Sequence, residues 1–429
     1  MEQPHSPLVS VVVPVYNVEA FLAECLDSVL AQTFGDYEVI CVNDGSTDGS
    51  REILLDYAKR DARIRIVEQA NGGLSAARNA GMDQARGVYV YFLDSDDKLR
   101  RDALCALCDL ADRESLDQIV FTAETFVAED ADESLRRKLP GFLRYYSLDE
   151  SLCNVVLPGG DLFAKLVGAN SFVASIPLRF LRLSVVQDAG LRFPGGLLHE
   201  DAYFAPISLC LARRAIVLNE RYFLRRLRAA SIMTSVTNTV SRMASLSAIL
   251  LRLSNHAVWG GMPPIVHSAL IKYMGSLLTA LSWHCEDRDD DFFLSSGKAL
   301  EDLVSTADSK LFAYGIFGWL RGYRRQMKLL DVEKSKAPPN GDAKTIYAKL
   351  KTREAILRRL IALKDIRIEE LESRVKKWTG EHAKAWQLIR AKDLRIEGMQ
   401  RKMREMQTSR AYKIAQTLSR FRHLFSGKK

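Results

Sequence analysis

The chain has no run of about 18 consecutive apolar residues, so no part of it is expected to cross a bilayer as a helix. Cysteine is sparse, with 7 scattered among 429 residues, which argues against a disulfide framework. Cys105 and Cys108 form one Cys-x-x-Cys, yet no second pair and no His pair completes a zinc set. They sit in the apolar-periodic stretch Leu104–Leu110, where core packing is the simpler reading. This usage fits a reduced, cytosolic chain. The first residues, Met1–Pro7, are polar and lack the basic flank of a secretory leader, so none is expected. Acidic residues thin out toward the C-terminus: 340–429 holds 24 of the 61 Lys/Arg but 10 of the 53 Asp/Glu, a net of +14 against −6 for the remainder. A basic end on an acidic body suits a polyanionic partner. The tail carries no recognised nucleic-acid-binding motif, which favours an anionic membrane surface over nucleic acid.

What is present is otherwise ordinary globular composition, 47% hydrophobic and 27% charged, with length for two or three domains. Short β-branched runs alternate with helix-periodic segments. Leu8–Val15, Tyr37–Val42, Ile64–Val67 and Val88–Leu93 read as strands, and Ala20–Leu30, Ser50–Ala58 and Ser75–Ala85 as the helices between them. Such spacing predicts βαβ units around a buried parallel sheet. The last run passes directly into acid, with Asp94, Asp96 and Asp97 within four residues. Like charges resist being crowded together and desolvated, and a hard divalent cation relieves them. In open α/β sheets ligands sit at the carboxyl ends of strands, so a metal–phosphate site is one reading. A solvated turn that caps the next helix at Asp97 is the other. The loop Asn43-Asp44-Gly45-Ser46-Thr47-Asp48-Gly49-Ser50 is similarly twofold: it can face a nucleotide with Asp44 and Asp48, and it can cap the helix that follows.

Four stretches together resemble family 2 glycosyltransferases. They are Pro14-Val15-Tyr16-Asn17, Asn43-Asp44-Gly45-Ser46-Thr47-Asp48, Asn71-Gly72-Gly73-Leu74-Ser75-Ala76-Ala77-Arg78-Asn79-Ala80-Gly81 and Asp94-Ser95-Asp96-Asp97. Each is weak alone; their order and spacing make the resemblance specific over about residues 8–125, and looser to about 235. It implies an α/β, Rossmann-like GT-A domain that binds a nucleotide sugar. It further implies that Pro14, Tyr16 and Asn17 line the nucleotide site and that Asp44 hydrogen-bonds the base, uracil by preference. Asp94 is expected near the ribose and metal, and Asp96 as the direct ligand of Mn²⁺ or Mg²⁺ under the diphosphate. Arg78 and Asn79 stabilise the crevice in this reading, with a structural ion pair an equal alternative for Arg78. Asn43 departs from the Asp often found in the family.

Downstream, Glu129–Glu133 reads as an acidic loop. Arg192–Phe204, with Pro194-Gly195-Gly196 leading to His199-Glu200-Asp201, joins a turn to a helix start. Acid at a helix N-terminus complements the macrodipole. It can equally serve as general base for an acceptor hydroxyl. The segment resembles the family's late acidic motif, which implies Asp201 as the base and Glu200 as second choice, with His199 structural. Tyr222-Phe223-Leu224-Arg225-Arg226, then Ser231-Ile232-Met233, resembles the segment that closes over the donor, with Arg225 or Arg226 pairing the diphosphate. The expected domains are 1–235 catalytic, 236–335 helical, 336–342 linker, 343–408 a long helix or coiled coil, and 409–429 a basic amphipathic tail. Residues 343–408 lack proline and repeat apolar residues at three, four and seven. Self-association through them and a solvated single helix are the two alternatives.

The expected activity is transfer of a sugar from a UDP-sugar to the hydroxyl of a saccharide or lipid-linked saccharide, with inversion, one sugar at a time. The Gln-x-x-Arg-Trp motif and membrane spans of processive relatives are absent from the sequence. The expected location is the cytoplasm, with peripheral attachment to the inner face of the membrane. The competing functions are a degenerate scaffold acting through its coil, against which the intact acidic motifs argue, and a nucleotidyltransferase. The latter needs a Gly-rich, basic loop after the first strand, which Pro14–Asn17 is not.

Overall fold

The computed structural model describes residues 6–128, 133–228, 245–246, 248–253 and 256–283. The segment around Ser231, much of 236–335 and all of 336–429 lie outside the described residues, so the linker, the long helix or coiled coil and the tail do too.

The chain opens with β1 (Val9–Val15), α1 (Glu19–Leu30), β2 (Tyr37–Asp44), α2 (Ser50–Arg60), β3 (Ile64–Gln69), α3 (Leu74–Gln84) and β4 (Tyr89–Phe92). β1, β2, β3 and β4 pair in parallel, in the spatial order β3-β2-β1-β4. Every residue of β1, β2 and β4 is buried, as sheets covered on both faces require. Alternation sorts their side chains between two cores. Val11, Val13, Val39, Cys41, Tyr89 and Tyr91 point to the side of α1, α2 and the helix Ala103–Arg113. Val12, Ile40, Val42, Val90 and Phe92 point to the opposite core, shared with the helices Gly159–Gly168 and Asp201–Leu211. The strands and helices expected here are present, with ends displaced by a residue or two.

The second half of the sheet is antiparallel and mixed. It comprises β5 (Lys98–Leu99), β6 (Gln118–Val127), β7 (Arg179–Arg182) and β8 (Ala215–Leu227), continuing the order as β4-β7-β6-β8-β5. β7 runs antiparallel to β4 and β6, and β6 and β8 are parallel with a register shift near Thr122. The helices here are α4 (Ala103–Arg113), α5 (Glu133–Tyr145), α6 (Gly159–Gly168), α7 (Leu183–Asp188) and α8 (Asp201–Leu211). Cys108 is buried within α4 and Cys105 partly buried, in keeping with packing. Beyond β8, residues 248–253 are helical and α9 spans Pro264–Trp283. Their apolar residues Ile249, Leu250, Val266, Leu270 and Met274 join the core that holds α6 and α8.

Candidate active site

At the carboxyl edge of the parallel strands, β1 ends in Pro14 and Val15, paired with Val42 and Asn43 of β2. Pro14 is buried and Tyr16 is exposed at the rim. Asn17 takes a positive φ of 50° and its Oδ1 accepts from the Thr47 amide at 2.8 Å, stitching the two loops together. Asp48 accepts from the amides of Ser50 and Glu19, so it tethers the starts of α2 and α1. Asp44 is nearly enclosed. Its Oδ1 accepts from Gln69 Nε2 at 2.7 Å and the Gly72 amide at 2.8 Å, and its Oδ2 from the Gly73 amide at 2.8 Å. A carboxylate has about four acceptor positions. Asp44 therefore fixes the turn that launches α3 and has one position in hand.

α3 carries Arg78 into the interior, 1% exposed. The guanidinium gathers three carboxylates from two distant stretches of the sequence. Nη1 donates to Glu200 Oε1 and Asp201 Oδ1, each at 2.7 Å, and Nη2 to Asp94 Oδ1 at 2.8 Å. Asn79 beside it donates to and accepts from the Phe193 backbone, holding the 192–200 turn against α3. His199 adopts φ 63° there, which re-aims the chain so that Glu200 and Asp201 open α8. The Ile176 amide donates to Asp201 Oδ2 at 3.1 Å, which orients that carboxylate. Burial and the neighbouring Asp201 and Asp94 raise the Glu200 carboxyl to about 7, against the pull of Arg78. Burial also raises Asp201, again opposed by Arg78.

The acidic turn after β4 is tied to β8. Asp97 is buried and accepts from the Arg226 amide at 2.6 Å. Burial, then the charges of Asp96 and Asp94, push its carboxyl well above the ordinary range. Arg226 donates to the Asp96 carbonyl and to Glu24, while Arg228 Nε donates to Asp96 Oδ2 at 2.8 Å. Arg225 points the other way and donates to the Tyr146 hydroxyl at 2.6 Å. The alternation along β8 accounts for this split, since residues two apart share a face. Arg228 was not singled out in the sequence, although its spacing of two from Arg226 is the signal that places it on the Asp96 side. Among the described residues, no three or more His, Cys, Asp or Glu side chains converge as a complete metal cage.

The model of the glycosyl transferase family 2 matches residues 10–162. The similarity to that family thus covers 153 of the 429 residues. The glycosyltransferase EpsJ of Bacillus subtilis, itself uncharacterised, is 56% identical over 111 residues, 26% of this chain and 32% of that protein. TuaG, a B. subtilis glycosyltransferase named for teichuronic acid biosynthesis, is 48% identical over 99 residues, 23% of this chain and 39% of that protein. The chain thus matches about a third of the length of these curated relatives. A crystal structure of residues 1–349 of S. aureus TarS, in complex with UDP-GlcNAc, superposes with a TM-score of 0.57 at 19% identity, covering 74% of this chain and 89% of that one. The likeness establishes the GT-A fold. Within this fold, Asp94, Glu200 and Asp201 are brought to one guanidinium, while Asp96 is reached by Arg228 a few residues along the same acidic turn.

Proposed function

We propose that the protein is an inverting glycosyltransferase that moves a sugar from a UDP-sugar to an acceptor hydroxyl in the assembly of a bacterial polysaccharide or lipid-linked glycan. The observation that carries this reading is the hub at Arg78, where the donor-side Asp94 and the helix-start acids Glu200 and Asp201 share one guanidinium. A direct displacement needs a leaving group held on one side of the sugar and a base on the other. The names of TuaG and of the TarS complex support the polysaccharide setting and the UDP-sugar donor respectively.

In the proposed reaction Asp201 accepts the acceptor hydroxyl's proton as that oxygen bonds to the anomeric carbon. The bond from that carbon to the diphosphate oxygen breaks, and UDP leaves with the electron pair. Arg78 and the Ile176 amide hold the base in one orientation, and Glu200 is the second carboxyl within reach of the same guanidinium. Pro14, Tyr16, Asn17 and Asp44 form the nucleotide side in this reading, Arg226 braces the acidic turn, and Arg225 reaches Tyr146 from the other face of β8. A divalent cation fits the chemistry of that turn. Asp94 and Asp96 would hold Mn²⁺ or Mg²⁺, whose shell is ordinarily completed by substrate phosphates and water. Asp94, Asp96 and Asp97 crowd negative charge within four residues at the end of a buried strand, which such an ion would relieve. When bound, the ion neutralises the departing diphosphate.

Asp201→Asn keeps size and polarity but cannot take the proton. Donor affinity should stay near normal while transfer falls about 10²–10⁴-fold, measured as UDP release from a panel of UDP-sugars. Wild-type turnover in this variant would remove Asp201 from the role and direct attention to Glu200. Asp96→Ala should abolish Mn²⁺- or Mg²⁺-dependent UDP-sugar binding in calorimetry with the fold intact. An unchanged metal-dependent affinity would exclude Asp96 as ligand.

A further inference from the structure

Arg179, the first residue of β7, is completely buried, opposite Val120 in the sheet. Its Nη2 donates to the Val173 carbonyl at 2.5 Å, and its guanidinium lies 5.1 Å from the centre of the Phe172 ring. Nε and Nη1 have no hydrogen-bond partner. Among the described residues no carboxylate forms an ion pair with it, unlike Arg78. Burial lowers its pKa to about 10, which leaves it cationic at neutral pH.

A buried cation with two idle donors costs several kcal/mol, and a well-packed apolar side chain of similar length commonly does as well or better in such a place. Its presence therefore calls for a use. Two observations indicate one. The groups that face it electrostatically are Asp201, Tyr145 and Tyr273. The carbonyl it grips belongs to Val173, three residues before Ile176, whose amide donates to Asp201 Oδ2. Around Asp201, Arg78 alone is shared with Asp94 and Glu200, so three carboxylates meet one directly bonded positive charge.

We propose that Arg179 is a positioning residue for the acidic pair at the start of α8: it anchors the 172–176 loop that orients Asp201 and sets a second positive charge behind that carboxylate. The proposal rests on Asp201 acting as the base. Arg179 itself touches neither donor nor acceptor in this role.

Three variants of the full chain separate the two contributions. Arg179→Lys keeps the charge and a donor for Val173, Arg179→Gln keeps the donor without the charge, and Arg179→Met keeps neither. The assay is UDP release from the UDP-sugar that the wild-type protein hydrolyses fastest, with water as acceptor and melting temperatures measured in parallel. Arg179→Lys should retain kcat within about tenfold, and Arg179→Gln and Arg179→Met should lose roughly a hundredfold, all with donor KM unchanged. The proposal is overturned if Gln is as active as Lys, or if losses follow the melting temperature and fall equally on KM. Should Arg179→Gln not fold, Arg179→Met takes its place in the comparison with Lys; should neither uncharged variant fold, the guanidinium is structural and the proposal is also overturned. Asp201→Asn is assayed alongside. If it keeps wild-type turnover, the reading of the base is wrong; if it is inactive while Arg179→Gln matches Arg179→Lys, only the role of Arg179 is.

Discussion

Glu200 is held far from its ordinary chemistry. Its side chain is buried, and burial with Asp201 and Asp94 nearby lifts the carboxyl from 4.5 to about 7. Below pH 4.5 both the folded and the unfolded chain carry the proton. As pH rises the unfolded chain releases it first, while the folded protein keeps it until about 7, so the unfolded state binds fewer protons across that window. Stability must therefore fall with rising pH over this range on account of Glu200. Glu200→Gln removes that contribution and leaves Arg78 its bonds to Asp94 and Asp201. The decline in melting temperature between about pH 5 and 7 should be shallower in the variant. Parallel slopes would show that Glu200 ionises normally in the fold. Residue types were legible here, since an acidic pair at a helix start stands out in any sequence. Their convergence on Arg78 was not, because Arg78 and Glu200 lie 122 positions apart.

At the scale of elements, α3 shows how packing overrides propensity. Gly81 lies within α3 where the helix rests on β1, and a Cβ there would collide with Val12 Cγ1. Propensity alone favours Ala over Gly in a helix interior by about 0.5–1 kcal/mol. Overpacking a tight contact costs about 1–3 kcal/mol, so the clash should win. Gly81→Ala is thus expected to lower stability by about 1 kcal/mol or more in urea denaturation, and a variant more stable than wild type would mean that α3 can lift from β1 without loss. The parallel strands could be read because two-sided burial writes a continuous β-branched run into the sequence. β6, β7 and β8 left weaker traces. β8 interrupts its apolar residues with Asn219, Glu220, Arg221 and Arg225–Arg226, and β7 is only four residues long. Glu220 is accommodated by Arg100, Arg225 by Tyr146 and Arg226 by the acidic turn, pairings that local pattern cannot express.

For the whole molecule the open question is where it works. No described helix is long and apolar enough to cross a membrane. The tail 409–429, outside the described residues, places Ile414, Leu418, Phe421 and Phe425 at spacings of four, three and four, with Lys413, Arg420, Arg422, Lys428 and Lys429 around them. We propose that this stretch binds the anionic cytoplasmic leaflet, where each basic residue contributes about 1 kcal/mol. The protein should then sediment with anionic but not neutral liposomes, less so as salt is added, and deletion of 409–429 should abolish binding. Protein that stays in the supernatant with anionic vesicles at low salt would instead direct the tail to a protein interface. By itself the sequence determined the parallel half of the sheet, the order of the motifs and the family resemblance, because periodicity, turn chemistry and short motifs are written within ten or so neighbouring residues. Only the tertiary structure decided that Asp44 anchors the start of α3, that Arg225 and Arg226 face opposite ways, and that Asp94, Glu200 and Asp201 share Arg78. It also decided that the Arg179 guanidinium lies buried with two of its nitrogens unpartnered. Those are long-range electrostatic facts: a buried charge is positioned by whichever partners the fold brings within about 3 Å, and sequence separation carries no record of them.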